Sequence, residues 1–216
     1  MSVNPLEIKL SGHSLTCERG ERVLFKNLEF SVRDGQAMII QGSNGAGKTS
    51  LLRIITGLSQ ATQGSVTWNN QNIESIAEEY QQSLLYIGHL AAVKRELTVR
   101  ENLQLLLRFW PQDNNCLVTE LAEQVGLRQR LSVSCSRLSA GQQRRVSLAR
   151  LFISTQKLWV LDEPLTAIDV DFIQVIEKRL QYHLKSGGTA ILTTHRGIEL
   201  GEMPTLNLDL SRYEPH

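Results

Sequence analysis

Residues 42–50, GSNGAGKTS, place the tightest local constraint on the chain. Glycines at 42, 45 and 47 let the backbone curl back on itself, and the apolar run AMII at 37–40 ahead of them reads as a buried strand. Behind them, Leu51, Leu52, Ile54, Ile55 and Leu58 follow helical spacing, with a stop signal at Gly57. A strand, a glycine loop and a helix form the context in which G-x-x-x-x-G-K-[ST], here Gly42, Gly47, Lys48 and Thr49, cradles a polyphosphate. Gly42, Ser43, Asn44, Gly45, Ala46 and Gly47 would turn their N–H groups inward, and the helix opening at Lys48, Thr49 and Ser50 adds its positive dipole end. In this pattern Lys48 reaches the β and γ phosphates and Thr49 ligates Mg²⁺.

The rest of the chain is arranged around that loop. Up to about residue 73 the pattern is β-rich, with alternation through Leu6–Leu15, a segment at Leu28–Val32 and a hairpin signal at Asn69-Asn70. From about 90 to 155 it is helical: Thr98-x-x-Glu101 is a capping box opening TVRENLQLLLRFW, and Leu117–Val125 is a helix ended by Gly126. Strand character returns at 158–161 and 190–194, on either side of a helix over 170–185. Strand, helix and strand in alternation predict an α/β fold with a parallel sheet, an antiparallel β subdomain and an inserted helical subdomain. A length of 216 residues suits one domain, with a core over 1–89 and 156–216 and the helical insert over 90–155.

A formal net charge of +1 argues against a nucleic-acid groove, and QQRR at 142–145 and QRL at 129–131 read as solvated helix faces. Cys17, Cys116 and Cys135 are odd in number and lack metal-type spacing, which predicts neither disulfide nor zinc framework and favours a reducing compartment. No leader pattern and no apolar run of ~18 residues is visible, so a peripheral rather than spanning chain is expected.

Two further stretches carry chemistry. LWVLDEP at 158–164 delivers adjacent acids at the carboxyl end of a strand, where ligands bind in open α/β sheets. Asp162 would hold magnesium through water, and Glu163 would orient or deprotonate the water that attacks the γ-phosphate. In LSAGQQRR, Ser139 and Gln142 form a capping box, so Ser139, Gly141 and Gln142 sit at a helix N-terminus suited to an anion.

Taken in order, GSNGAGKT, LSAGQ, LWVLDEP, TAID at 166–169 and TTH at 193–195 resemble the ATP-binding cassette (ABC) transporter ATPases over nearly the whole chain. The resemblance implies a P-loop NTPase of ABC type that binds ATP and Mg²⁺. It also implies that Ser139 and Gly141 act on the nucleotide of a second copy, that Asp169 is the inter-subunit loop aspartate, and that His195 contacts the γ-phosphate and steadies the catalytic water. Two positions depart from the pattern. Arg19 stands where many relatives have an adenine-stacking aromatic; its guanidinium can stack on a purine, or Phe25 can substitute. His89 and Leu90 stand where relatives have a glutamine that touches magnesium and water, and leucine can do neither.

Longer stretches, LTCERGERVLF, GSNGAGKTSLLRIITGL, YIGH, LSAGQQRRVSLARL and LDEPLTAIDV, resemble the ATP-binding subunits of the bacterial cytochrome c biogenesis haem exporter. That family implies ATP hydrolysis at the cytoplasmic face of the inner membrane, coupled through an integral membrane permease subunit to haem export or release of a haem-carrying complex. No C-x-x-C-H is present, so no direct haem binding is expected. The alternatives are the ATPase of another small-cargo exporter, a soluble cassette ATPase of repair or translation, and a dimerisation switch that barely hydrolyses ATP.

Overall fold

The computed structural model describes residues 8–109 and 117–214; the first two residues of the expected strand at Leu6–Leu15, as well as Trp110 and Cys116, lie outside them. The described chain divides into two compact units. The first takes in the residues up to Tyr86, Gln156–Glu163 and those from Leu180 onwards; the second takes in the middle from Ile87 to Thr155 together with Pro164–Arg179.

In the first unit, β1 (Ile8–Arg19) pairs antiparallel with β2 (Arg22–Arg33) around a turn at Gly20, whose φ is 61°. On its other side β1 pairs with β4 (Gln63–Trp68), which is joined to β5 (Gln71–Asn72) through Asn69-Asn70. Asn69 and Asn70 have φ of 51° and 64°, the double left-handed conformation that a tight hairpin needs and that asparagine tolerates. Strand β2 runs well beyond the expected Leu28–Val32 because Asn27, at φ 52°, breaks the period-2 alternation. Phe25 and Leu28, three residues apart, are therefore both turned into the core.

The second sheet of this unit has the order β6 (Leu84–Ile87), β7 (Leu158–Leu161), β8 (Thr189–Thr193), β3 (Ala37–Gln41), β9 (Thr205–Asp209). β3 runs parallel to β8 and β9, and β7 runs parallel to β8. Residues 37–40, 158–161 and 189–193 are all buried, as the unbroken apolar runs of a covered parallel sheet require. Helix α1 (Lys48–Ile55) buries Leu51, Leu52, Ile54 and Ile55 in a cluster with Leu10, Leu15, Met38, Ile40, Val160 and Ile191. Each such side chain contributes about 1.5–3 kcal/mol relative to exposure. Short α2 (Ala77–Ser83) had no sequence signal because it buries only Tyr80, which tilts against Trp68 and donates its hydroxyl to Ile55 O at 2.6 Å. Burial pushes the Tyr80 phenol far up.

In the second unit, α3 (Val99–Phe109) buries Val99, Leu103 and Leu106 on one face. Its cap is reciprocal: Thr98 N–H donates to Glu101 Oε2 at 2.7 Å and Glu101 N–H to Thr98 Oγ1 at 3.3 Å. The Thr98 hydroxyl, with its N–H, holds the Glu101 carboxyl below the usual carboxylate range. Helix α4 (Val118–Gln124) ends before Gly126, at φ 69°. Helices α5 (Ala140–Leu148) and α6 (Arg150–Ile153) follow, and α7 (Val170–Lys185) begins in this unit. No described helix is long and apolar enough to cross a membrane.

Candidate functional site

The glycine loop sits where β3 hands over to α1 in the first unit. Gly42, Gly45 and Gly47 have φ of 147°, 84° and 99°, a conformation that other residues adopt only under strain. Gly47 is also boxed in: a Cβ there would lie 3.1 Å from Leu24 Cβ and 3.3 Å from Phe25 Cδ1. Helix α1 has no side-chain cap and no acid in its first turn, so its leading N–H groups and dipole face the loop without an internal anion. Lys48, 8% exposed, lies over the loop and donates from Nζ to Gly42 O at 2.8 Å and to Ser43 O at 3.1 Å. Ala46 is buried, while Ser43, Asn44 and Gly45 are exposed along the rim and Ser50 is half-buried in the first turn of α1.

The acids meet this loop through hydroxyls. Thr49 Oγ1 donates to Asp162 Oδ2 at 2.9 Å, and Thr193 Oγ1 donates to Asp162 Oδ1 at 2.8 Å. The Glu163 N–H in turn donates to Thr193 Oγ1 at 2.9 Å. Asp162 and Thr193 are both buried, so each partner is worth more here than in water. Glu163 has φ 48°, a left-handed conformation that costs about 1–3 kcal/mol and survives only where the surroundings fix it. Its Oε1 lies 3.0 Å from His195 Nε2, and the two side chains are 19% and 49% exposed. The first unit therefore brings together Lys48, Thr49, Asp162, Glu163 and His195. Thr193, the residue that ties the two acids together, was not singled out by the sequence beyond belonging to TTH.

A phosphate chain and a hard divalent cation suit these groups. The capless helix, the glycine backbone and the lysine supply donors for phosphate oxygens. The Thr49 hydroxyl and Asp162 carboxylate are the hard oxygens that Mg²⁺ takes alongside phosphate and water. Among the described residues no three His, Cys, Asp or Glu cluster as an all-protein metal cage.

Arg19 is exposed at the end of β1, next to the Gly20 turn. The alternative adenine contact, Phe25, is corrected by the structure: it is 0% exposed, within the core cluster and beneath Gly47.

The second unit holds the other candidates. Ser139 Oγ accepts the Gln142 N–H at 3.2 Å and Gln142 Oε1 accepts the Ser139 N–H at 3.2 Å, forming the expected capping box of α5. A Cβ on Gly141 would collide with Ala167 O, so the helix start and the 164–169 turn approach backbone to backbone, with Ala167 itself at φ 63°. Asp169 accepts the Phe172 N–H at 3.0 Å and is ion-paired with Arg145, whose guanidinium lies 4.4 Å over the Phe172 ring. That hydrogen bond from Arg145, aided by the Phe172 N–H, holds the Asp169 carboxyl below the usual range. QQRR is thus not a solvated face: Gln143 donates to Cys135 O and Leu138 O, Arg144 is buried, and Arg145 is occupied by Asp169. Gln142 folds back on the cap, and Gln143, Arg144 and Arg145 face neighbouring carbonyls and an acid, which charge count alone could not show. His89 and Leu90 are both exposed, Leu90 at 82%.

Comparisons with known proteins agree with this geometry. The family model for ABC transporters matches residues 25–166. The cytochrome c biogenesis ATP-binding export protein CcmA of Aliivibrio fischeri is 49% identical over 185 residues, covering 86% of this chain and 91% of the relative. The CcmA of Haemophilus influenzae is 44% identical over 201 residues, covering 93% and 95%. Among solved structures, a putative ABC transporter ATP-binding protein from Pyrococcus furiosus has a TM-score of 0.79 at 24% identity, covering 96% of this chain and 100% of that one. An ATP-binding subunit of an ABC transporter has a TM-score of 0.73 at 24% identity, covering 87% and 79%. With the glycine loop, the paired acids and the capped LSAGQ helix in place, the chain belongs to the ABC transporter family of ATP-binding proteins.

Proposed function

We propose that the chain is the ATP-hydrolysing subunit of an ABC exporter acting in c-type cytochrome biogenesis, working as a nucleotide-sandwich pair with a second copy of itself. The observation that carries the chemistry is the bonded chain Thr49–Asp162–Thr193–Glu163 ending at His195. ATP would lie along residues 42–50, with its phosphates on the loop N–H groups and Lys48. Thr49 and Asp162 would hold Mg²⁺, which would supply neutralisation of the phosphate charge. The Glu163 carboxylate orients a water and takes its proton as the water oxygen bonds to the γ-phosphorus and the bond to the bridging oxygen breaks. His195, whose Nε2 lies 3.0 Å from Glu163 Oε1, would keep that carboxylate aimed or turn its N–H to a γ-phosphate oxygen.

Ser139 and Gly141 would complete the site of the second copy, and Asp169 would face that copy's loop. The cytochrome c role is supported by relatives at 44–49% identity that bear that name. An integral membrane permease is the proposed partner, with the chain held peripherally at the cytoplasmic face of the inner membrane.

Lys48→Ala and Glu163→Gln separate binding from chemistry. Losing the lysine weakens ATP binding, whereas losing the base preserves binding and abolishes turnover, read by nucleotide titration and phosphate release. Parental turnover in Glu163→Gln would remove Glu163 as the base. Co-purification from membranes with identification of the attached proteins and haem tests the permease and the cargo.

A further inference from the structure

Helix α5 carries two adjacent arginines, and each reaches a different loop of the second unit. Arg145 pairs with Asp169. Arg144, 4% exposed, donates from Nη1 to Gly88 O at 2.8 Å and to His89 O at 3.2 Å. A guanidinium this buried is tolerated only where acceptors replace the water it has lost, and here two successive backbone carbonyls do so.

The same loop is fastened further along. Asn102 on α3 accepts the Lys94 N–H at 2.8 Å and donates to Lys94 O at 2.9 Å, and Arg150 Nη2 donates to Ala92 O at 3.4 Å. Anchors at 88, 89, 92 and 94 thus bracket Leu90, whose own side chain is 82% exposed and can neither coordinate a metal nor accept a hydrogen bond. Side chains that reach in from α3, α5 and α6 hold this loop on both sides of Leu90.

We infer that Arg144 is the positioning residue of loop 88–94: it fastens the loop to α5, so that the loop and the helix start bearing Ser139 and Gly141 move as one piece during ATP turnover. The inference rests on the proposed role of Ser139 and Gly141 at the nucleotide of a second copy. Glutamine at 144 is two bonds shorter and uncharged, so it cannot span to both carbonyls; lysine keeps the charge and nearly the reach.

The test uses the full chain as parent, Arg144→Gln, Arg144→Lys and Ser139→Ala. Hydrogen exchange over 88–94 and over 42–55, kcat and KM for ATP, and Tm are measured on each. For Arg144→Gln the expected result is exchange over 88–94 about 10-fold faster, with 42–55 unchanged. Its kcat falls by roughly 5- to 10-fold while KM stays within about twofold, and Arg144→Lys recovers most of both losses. Unchanged loop exchange in Arg144→Gln overturns the inference, and so does parental kcat with a loosened loop. A lysine variant no better than glutamine, with Tm falling and both segments exchanging faster, reduces Arg144 to a structural residue and equally overturns it. Should Arg144→Gln fail to fold, the small residual losses of Arg144→Lys decide: loop protection and kcat lowered together support the inference, and one lowered without the other, or neither lowered, refutes it. Parental turnover in Ser139→Ala removes the nucleotide role of the helix start. An inactive Ser139→Ala beside a fully active Arg144→Gln removes the positioning role alone.

Discussion

Thr193→Val tests whether the hydroxyl between the acids organises the site. Valine keeps the shape and the β branching, so strand β8 and its packing are undisturbed, but two hydrogen bonds go. Asp162 loses a donor at 2.8 Å, and the Glu163 N–H loses its acceptor at 2.9 Å. A bond to a charged group is worth about 1.5–3 kcal/mol, and a backbone bond about 0.5–1.5 kcal/mol. Thr193 is 0% exposed, so water cannot take over at the hydroxyl's position. The sum puts the loss near 2–4.5 kcal/mol, which for a chain of this size is roughly 4–18 °C in Tm. The larger effect should be on chemistry. Glu163 sits at φ 48°, and without Thr193 the backbone is released toward an unstrained conformation that swings the carboxylate away from His195. Misplacing a catalytic group by an ångström costs about 100-fold, so kcat should fall by that order with ATP affinity preserved. Scanning fluorimetry and steady-state phosphate release check both numbers. A variant with parental Tm and kcat would show that the hydroxyl neither fixes Glu163 nor supports Asp162.

Three further outcomes follow from the second unit. Gly141→Ala drives a methyl into Ala167 O, a backbone atom that cannot rotate aside; a loss of about 1–3 kcal/mol and a drop in turnover are expected, and unchanged Tm and phosphate release would refute the close approach. Asp169 has its carboxyl held below the usual range by Arg145, so its contribution is present above the unfolded value near 3.9 and is lost as pH falls through the lower folded value. Asp169→Asn should therefore be less stable than the parent at pH 7 and show a flatter loss of Tm below about pH 4; parallel curves would refute the pairing in solution. Leu90→Gln should raise ATP turnover by placing an amide at the exposed tip of loop 88–94, and activity equal to the parent's, with or without the proposed membrane partner, would exclude the tip from the chemistry.

The sequence was most legible where one local rule decides the outcome. GSNGAGKTS needs left-handed glycines and a helix start, and Gly42, Gly45 and Gly47 adopt them; Ser139-x-x-Gln142 caps α5 as its spacing demands. Legibility failed where partners come from elsewhere in the chain. Arg144 and Arg145 look like surface charges until α5 is placed among the carbonyls of 88–89 and the Asp169 carboxylate. Phe25 looks available until the bulge at Asn27 turns it inward. Strand β9 escaped notice because, at the sheet edge, only Leu208 is fully buried and the pattern of a covered strand is missing.

Thr193 shows why strand order, absent from any local pattern, decides the site. Three segments far apart in the chain end side by side because β8 lies between β7 and β3. Parallel register sets Leu161 opposite Leu192 and Ile40 opposite Thr193, so all three strands stop at one level. The residue after β7 is then Asp162, the last residue of β8 is Thr193, and the loop after β3 begins one residue past Gln41. Whatever ends β8 must therefore stand between the phosphate loop and the acids. A small side chain that both donates and accepts meets that requirement, since it must give a proton to Asp162 and receive one from the Glu163 amide. Serine would satisfy the same bonds with less β preference, so Thr193→Ser should retain most of the turnover that Thr193→Val loses. Equal loss in both variants would assign the effect to packing around the methyl group rather than to the hydroxyl.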